Sequence, residues 1–492
     1  MDKYDVAVIG AGLGGLQCAY ILAKRGLKVV VLEKNSQYIG GCLQAFRRSG
    51  SFFDTGFHYV GGLDDGQPLN KLFQKFGLMD LPWVRMDLDC FDEVVYMGKS
   101  YKIPQGFQRF AAQMKEYFPD SALQIDKYTE FLKDVAENLL DTFGKNMGTI
   151  HEHPLFTRKA LDFLNENISD PVLRNVLSGT SPKIALHDNL PLYVFAQINA
   201  SFINSAYRLK THGMSIAEHL AKDIEAFGGR IVKGACVTSI ADFLDDCKVL
   251  EISGMDPIYA SKVVSNIHPS RFNEILPESV SKKLARRLKK CTNSFGMFTV
   301  NVSLKPSAIK YQNHNIYIHN SENIWAEGQQ EAASEPSCAL ISFRYPESGD
   351  TATNIDILTP MRWDDVAEFA TAESAPMRRC TKYDGLKRTK AEQLIDLASK
   401  YVPGLREAVA GYYTSTPLTY RDYTGTECGS AFGINKDSDS LLYTMPAPMV
   451  AKDIYQCGQN CGLHGILGVT MTACIACMAI LQKDNLLDIF GE

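Results

Sequence analysis

The sequence predicts an α/β fold built on a Rossmann-like nucleotide unit, and three stretches carry that expectation. The first is Val6-Ala7-Val8-Ile9-Gly10-Ala11-Gly12-Leu13-Gly14-Gly15, followed by a second apolar run that ends at Glu33. The second is Gly228-Gly229 ahead of the strand-like Arg230-Ile231-Val232. The third is Asp453-Ile454-Tyr455-Gln456-Cys457-Gly458-Gln459, which leads through Gly462, Gly465 and Gly468 into an apolar helix.

In the first stretch each glycine has a physical reason. Gly10 allows a tight turn, Gly12 lets a pyrophosphate approach the backbone, and Gly15 lets the helix beginning near Gly14 pack on the sheet while its free N–H groups face the phosphates. That helix reads as amphipathic through Leu16, Ala19, Tyr20 and Ala23, and Gly26 ends it. Glu33 closes Lys28-Val29-Val30-Val31-Leu32 at about the 20-residue spacing where a carboxylate meets ribose hydroxyls. Gly40-Gly41 suits a loop folding back over the pyrophosphate, and Phe53-Asp54-Thr55-Gly56 is a strand-like entry to a turn. The glycines after Asp453 offer a second set of free N–H groups. A ligand approached from both residue 10 and residue 468 is long, as FAD is.

Composition bounds the rest. A chain of 492 residues with 45% apolar content supports two domains or more with large cores. A net charge of -5 offers no broad basic surface, so nucleic acid is not an expected partner. Met1-Asp2-Lys3-Tyr4 runs straight into a buried-type strand without a signal peptide, and thirteen irregularly spaced cysteines read as reduced thiols, so the expected location is cytoplasmic. The most apolar stretch, Ile466 to Leu481, contains Gly468, Thr470 and Thr472 and reads as a buried helix rather than a membrane span.

With these residues in view, the chain resembles the flavin-dependent amine oxidase and phytoene desaturase superfamily over essentially its whole length. Gly40-Gly41-Cys42 and Phe53-Asp54-Thr55-Gly56-Phe57-His58-Tyr59-Val60-Gly61 look most like the all-trans-retinol 13,14-reductase (retinol saturase) and carotenoid isomerase branch. Thr416-Pro417-Leu418-Thr419, Tyr423-Thr424-Gly425-Thr426, Gly429-Ser430-Ala431-Phe432-Gly433 and Gly458-Gln459 agree with that branch. The chain departs from the usual pattern at Cys42, where many members carry a basic residue, and at His212-Gly213-Met214-Ser215, which replaces Gly-Gly before the Ser.

The resemblance implies a glutathione-reductase-type FAD-binding domain that is discontinuous in sequence, formed by residues 1–82, 213–266 and 411–492. Residues 83–212 and 267–410 would form an α+β substrate domain with an antiparallel sheet and helices. The amphipathic pattern Ile125, Tyr128, Leu132, Val135, Leu139 and Phe143 and the strand Met297 to Val302 belong to it. The resemblance also brings the Val237 backbone to the adenine. The residues expected to hold FAD are Gly10, Gly12, Leu13, Gly14, Gly15, Glu33, Lys34, Gly40, Gly41, Thr55, Gly56, Val237, Gly458, Gln459, Gly468 and Val469.

The chemistry follows partly from what is missing. No second strand-associated G-x-G-x-x-G provides a nicotinamide domain, and Cys42 has no cysteine neighbour before Cys90, so redox-disulfide chemistry is not expected. Cys474 and Cys477 read as small-residue packing. The flavin itself must exchange hydride with the substrate, with NAD(P)H the candidate external electron donor. The expected substrate is a small apolar polyene or isoprenoid, which calls for an apolar tunnel with candidate walls Leu192 to Phe195 with Ile198 and Phe202, and Phe107 with Phe110 and Met114.

His58 and Tyr59 are the candidate proton donors. His151, His153, His212, His219 and His464 lack metal-ligand spacing, and no metal is expected. Tyr383-Asp384-Gly385-Leu386-Lys387 imitates a dehydrogenase spacing but reads as surface helix. The basic helix Lys282 to Lys290 is a solvated face that offers peripheral contact with anionic lipid. The alternatives are a flavin amine oxidase, or a flavin-free prenyl-lipid carrier on the same fold.

Overall fold

The computed structural model describes residues 3–48, 50–139, 154–242, 246–331, 335–370, 379–440 and 448–491. Phe143, His151 and His153, named above, lie outside the described residues.

The first strand, Lys3–Ile9, is central in a parallel sheet, which is why its second half carries no polar residue. It pairs on one side with Val29–Glu33 and on the other with Met255–Ser265, both in parallel. Arg230–Lys233 extends the first flank and Ile454–Gln456 the second, also in parallel. The five parallel strands thus run in the chain order third, second, first, fourth, fifth, and segments far apart in sequence share one sheet. Val237–Asp242 and Lys248–Ile252 add an antiparallel extension along the first half of Met255–Ser265.

The helix after the glycine turn, Leu13–Lys24, is buried from Leu13 through Ala23 rather than along one stripe. The amphipathic expectation is corrected by its neighbours: it is covered by both Met214–Ala226 and the C-terminal helix Gly465–Leu481. The latter is the apolar helix read as core. Gln17 Nε2 donates to Thr470 Oγ1 at 2.9 Å between them, so the two polar side chains enter the interface paired. Cys474 and Cys477 are buried in the same packing layer. Among the described residues no helix is long and apolar enough to cross a membrane.

The second sheet has seven strands, in the order Val409–Ser415, Gly296–Leu304, Asn354–Met361, Cys338–Phe343, Asn315–His319, Asp92–Tyr96 and Lys99–Ile103. All pairs are antiparallel except Asn315–His319 with Asp92–Tyr96. The division drawn at residue 411 falls inside Val409–Ser415, an edge strand of this sheet, and the chain rejoins the nucleotide sheet at Ile454–Gln456.

Alternation gives the second sheet two apolar faces. Phe298, Val300, Ile316, Ile341 and Ile357 pack with Ala391, Leu394 and Ile395 of the helix Thr381–Ser399. Tyr317, Leu340 and Leu358, on the alternate positions, face the central cavity. Tyr383 is not on a surface as expected: it is buried, and its hydroxyl lies 2.8 Å from Thr416 Oγ1.

Candidate functional site

A cavity of about 620 Å³ runs between the two sheets and is lined from both ends of the chain. Its nucleotide arm is shaped by backbone. Gly10 adopts φ +96°, and a Cβ on Gly15 would lie 2.1 Å from the Gly10 carbonyl oxygen, so helix and strand touch there without room for a methyl group. Gly40 N donates to Ala11 O at 2.7 Å and pairs with Gly12 in a parallel bridge, folding the second glycine loop onto the first.

Glu33 is 8% exposed, and both carboxylate oxygens meet backbone: Oε2 accepts from Ala11 N at 2.8 Å and Oε1 from Asn35 N at 2.9 Å. Its observed work is therefore to fix the glycine turn, at the edge of the cavity it also lines.

The two extremities of the chain meet at Asn266, which sequence reading passed over. A Cβ on Gly12, Gly14 or Gly458 would lie 2.8, 2.7 or 2.5 Å from the Asn266 carboxamide, and Gly14 Cβ would lie 3.2 Å from Gly458 Cα. Gly458 takes φ +93°, and its N–H donates to Thr472 Oγ1 at 3.0 Å. One asparagine thus wedges three glycines into a single cradle at the mouth of the N-terminal helix. Such a cradle, with unfilled backbone surface and helix N–H groups, fits the pyrophosphate of a dinucleotide.

Of the expected coenzyme residues, Gly10, Gly12, Leu13, Gly14, Glu33, Lys34, Gly40, Gly41, Gly56, Val237, Gly458, Gln459 and Val469 line the cavity. Gly15, Thr55 and Gly468 do not. Gly15 lies beneath the turn, and Thr55 Oγ1 donates to Gln44 O at 2.8 Å. A Cβ on Gly468 would lie 2.2 Å from Leu463 O, so this glycine serves close packing.

The opposite arm is built by side chains. Ile198, Phe202, Met297, Leu340 and Leu358 form apolar walls. Of the expected walls, Leu192 to Phe195 are core instead, and Phe110 and Met114 are buried in the core beside Tyr128.

His58 and Tyr59 both line this arm. Burial pushes His58 down to about 4, which leaves it neutral near pH 7; Nδ1 lies 3.6 Å from Asp356 Oδ2, and Nε2 has no partner among the described residues. Burial pushes the Asp356 carboxyl up to about 7, against a hydrogen bond from Asn301 that lowers it. Tyr59 is the centre of a buried cluster that sequence reading missed. Its hydroxyl lies 2.7 Å from Lys183 Nζ, 2.8 Å from Asp92 Oδ2 and 2.6 Å from the Tyr317 hydroxyl. Lys183 Nζ also reaches Asp92 Oδ2 at 3.0 Å, and Asn315 Nδ2 donates to Asp92 Oδ1 at 2.8 Å. Burial draws the Lys183 ammonium below its ordinary value, with Asp92 opposing, and holds the Tyr59 hydroxyl well above its own.

Three further residues, His319, Glu327 and Cys338, converge in the core. Both His319 nitrogens are engaged, Nδ1 with Glu327 Oε2 at 2.8 Å and Nε2 with Gly179 O at 2.6 Å, so the group is a buried ion pair that ties the second sheet to a neighbouring turn.

Residues 8–76 match the NAD(P)-binding Rossmann-like domain. Over 98% of its length the chain is 26% identical to an all-trans-retinol 13,14-reductase of Rattus norvegicus, covering 86% of that protein. It is 23% identical to a chloroplastic prolycopene isomerase of Daucus carota, over 99% of this chain and 82% of that one. Over nearly its whole length the chain is thus similar to all-trans-retinol reductases and prolycopene isomerases. Solved structures share the fold at lower identity. A putrescine oxidase bound to putrescine aligns with a TM-score of 0.65 at 15% identity, covering 98% of this chain and 99% of that one. A fatty acid isomerase from P. acnes aligns with a TM-score of 0.59 at 14% identity, covering 96% and 97%. The relatives matched over nearly the whole chain are named reductases and isomerases, and the amine-oxidase alternative is the weaker one.

Proposed function

We propose that the chain is an FAD-dependent oxidoreductase acting on carbon–carbon double bonds of a long apolar polyene or isoprenoid. A retinol-saturase-like reduction is the first form of that reading, and desaturation or isomerisation of a carotenoid-like substrate the second. The carrying observation is one cavity whose glycine cradle continues into an arm with apolar walls around the Tyr59, Lys183 and Tyr317 cluster. Bound FAD would supply hydride exchange with the double bond, and NAD(P)H is the proposed external donor.

The chain's own residues do the rest. The Gly12 to Gly15 backbone and Gly458 would hold the pyrophosphate, Glu33 would fix the turn beside the ribose, and Val237 would meet the adenine. Apolar walls exclude water from the reacting bond. Of the two proposed proton donors, Tyr59 is the one whose hydroxyl meets a cation: Lys183 Nζ at 2.7 Å would offset the burial and the Asp92 carboxylate that oppose loss of its proton to carbon. His58, neutral above about pH 4, would act by position.

Lys183 also weighs against amine substrates. Its ammonium sits 4.0 Å from the Phe202 ring centroid, 5.0 Å from that of Tyr59 and 5.6 Å from that of Tyr317, so this aromatic cage already holds an internal cation. A second ammonium would meet like charge there. The helix Glu278–Leu288, with exposed Lys282, Lys283 and Arg286, is the proposed contact with anionic lipid from which an apolar substrate is drawn.

The test mixes polyenes with the photoreduced flavoprotein and amines with the oxidised flavoprotein, both without oxygen. Reoxidation of the flavin by a polyene supports the reading, and bleaching of the oxidised flavin by amines with no response to any polyene overturns it. A colourless protein that binds prenyl lipid and cannot be loaded with FAD would make it a carrier.

A further inference from the structure

The hydrogen bonds around Tyr59 can each be given a direction, starting from a buried cation that the reaction above does not use. Arg208, in the strand Ala206–Leu209, is 2% exposed, and its Nη2 lies 2.8 Å from Asn315 Oδ1. Its Nη1 donates to Ser342 Oγ at 3.1 Å and to the Phe343 carbonyl, which pins the guanidinium to the strand Cys338–Phe343. A guanidinium only donates, so the Asn315 carbonyl oxygen faces Arg208 and the amide Nδ2–H faces Asp92 Oδ1 at 2.8 Å.

Asp92 therefore receives Asn315 on Oδ1, and on Oδ2 it meets Tyr59 at 2.8 Å and Lys183 at 3.0 Å. A carboxylate only accepts, so the single hydroxyl hydrogen of Tyr59 points at Asp92. The 2.6 Å contact between the Tyr59 and Tyr317 hydroxyls then runs one way: Tyr317 donates and Tyr59 accepts. Lys183 Nζ donates to the same oxygen at 2.7 Å. The Tyr59 oxygen thus holds two donors that do not depend on its own proton.

We propose that Tyr317 is a positioning residue for proton transfer: with Lys183 it is the second donor that holds the Tyr59 oxygen as its proton leaves, and Arg208 sets that direction through Asn315. This rests on the reading of Tyr59 as the acid and deepens it. The phenol O–H turns about its C–O bond from Asp92 into the arm. The O–H bond breaks, a C–H bond forms at the carbon next to the one that takes the hydride, and the electron pair stays on the Tyr59 oxygen. Burial holds this hydroxyl well above its ordinary value, so the charge left there needs donors already in place. The bonds from Tyr317 and Lys183 become charge-assisted at that moment and need no rearrangement. Water entering the emptied arm returns the proton after the product leaves.

The experiment uses Y317F in the flavin-loaded protein, which removes one oxygen and keeps the ring. The charged groups that face Tyr59 among the described residues are Asp92, Lys183 and, through Asn315, Arg208, and Y317F changes none of them. A fluorinated tyrosine at position 59, a stronger acid than tyrosine, is titrated by fluorine NMR with and without Y317F. Loss of the Tyr317 donor should raise its midpoint by about one pH unit or more. Single-turnover reoxidation of the photoreduced flavin by a polyene should slow by about tenfold or more in Y317F, with polyene Kd within about threefold. Y59F/Y317F should be no slower than Y59F, because Tyr317 acts through Tyr59. An unmoved midpoint in Y317F, or a double variant slower than Y59F by the whole Y317F factor, overturns the assignment and leaves the polyene reading standing. Reoxidation of the wild-type flavin by no polyene removes that reading, while the midpoint at position 59 still decides which way the bond runs.

Discussion

The two arms of the cavity are made of different material. The nucleotide arm is backbone: Gly10, Gly12, Gly14, Gly40, Gly41 and Gly458 shape it by lacking side chains, with Asn266 and Glu33 locking the turn. The substrate arm is side chains: Lys183, Asp92, Tyr59 and Tyr317 come from four separate segments and hold each other in place. A backbone site tolerates no added atoms, whereas a side-chain site depends on charge balance. The two arms should therefore fail in different ways.

The hardest break is in the backbone arm. Gly15→Ala places a methyl carbon 2.1 Å from the Gly10 carbonyl oxygen, a clash that only displacement of helix or strand can relieve. The cost lies at or above the ~1–3 kcal/mol typical of overpacking, and it falls on the turn that would face the pyrophosphate. The expected outcome is protein purified without flavin, read as the ratio of visible to ultraviolet absorbance. Full flavin occupancy in this variant would show that helix and strand can separate.

The side-chain arm should fail through charge. Lys183→Met leaves the Asp92 carboxylate, which has no solvent exposure, without its cation, and breaking one side of a buried pair costs about 3–5 kcal/mol. Urea unfolding should show that loss in the single variant. A Lys183→Met/Asp92→Asn double variant should recover a large part of it, since no unpaired charge then remains. Additive losses would mean that the two groups are not coupled.

The same contrast explains what could be read from the sequence. Gly10, Gly12 and Gly15 were legible because backbone constraints act over a few residues and permit one residue type. The acid at Glu33 was legible by spacing, although its carboxylate turned out to grip Ala11 and Asn35 backbone. Asn266 was not legible, because its role exists only once Met255–Ser265 lies beside Lys3–Ile9 and carries it under the glycines. Lys183, Asp92, Tyr317 and Asn315 each look ordinary in their own segments, and only tertiary packing assembles them. Gly468 was misplaced for a related reason: a glycine at a strand-to-helix turn can serve a ligand or a neighbouring carbonyl, and here Leu463 O takes the space.

Glu33 sits between the two modes, a side chain in service of backbone. Glu33→Ala leaves the Ala11 and Asn35 N–H groups without their charged acceptor, and such bonds contribute about 1.5–3 kcal/mol. The turn loosens but is not blocked, so flavin affinity should fall by roughly tenfold to a hundredfold. Titration of the apoprotein with FAD measures it, and unchanged affinity would separate Glu33 from coenzyme binding.

The smallest effect lies behind the substrate arm, where Asp356 faces His58. Burial raises the Asp356 carboxyl from 3.8 to about 7, so between those values the folded state holds a proton that the unfolded state has released. Its contribution to stability is therefore present at low pH, declines as pH rises toward 7, and is lost above. Asp54 acts in the same sense up to about 6, and His58, lowered to about 4, acts in the opposite sense between 4 and 6.5. Above about pH 6.5 only Asp356 of these three still titrates. Asp356→Asn removes that slope and keeps a polar group beside Asn301. From pH 6 to 7.5 the stability of the variant relative to the wild type should rise by about 1 kcal/mol and then level off. Urea unfolding across that range gives the difference directly. A gap that stays constant with pH would mean that Asp356 is already ionised at pH 6 and that the back of the substrate arm carries a buried charge.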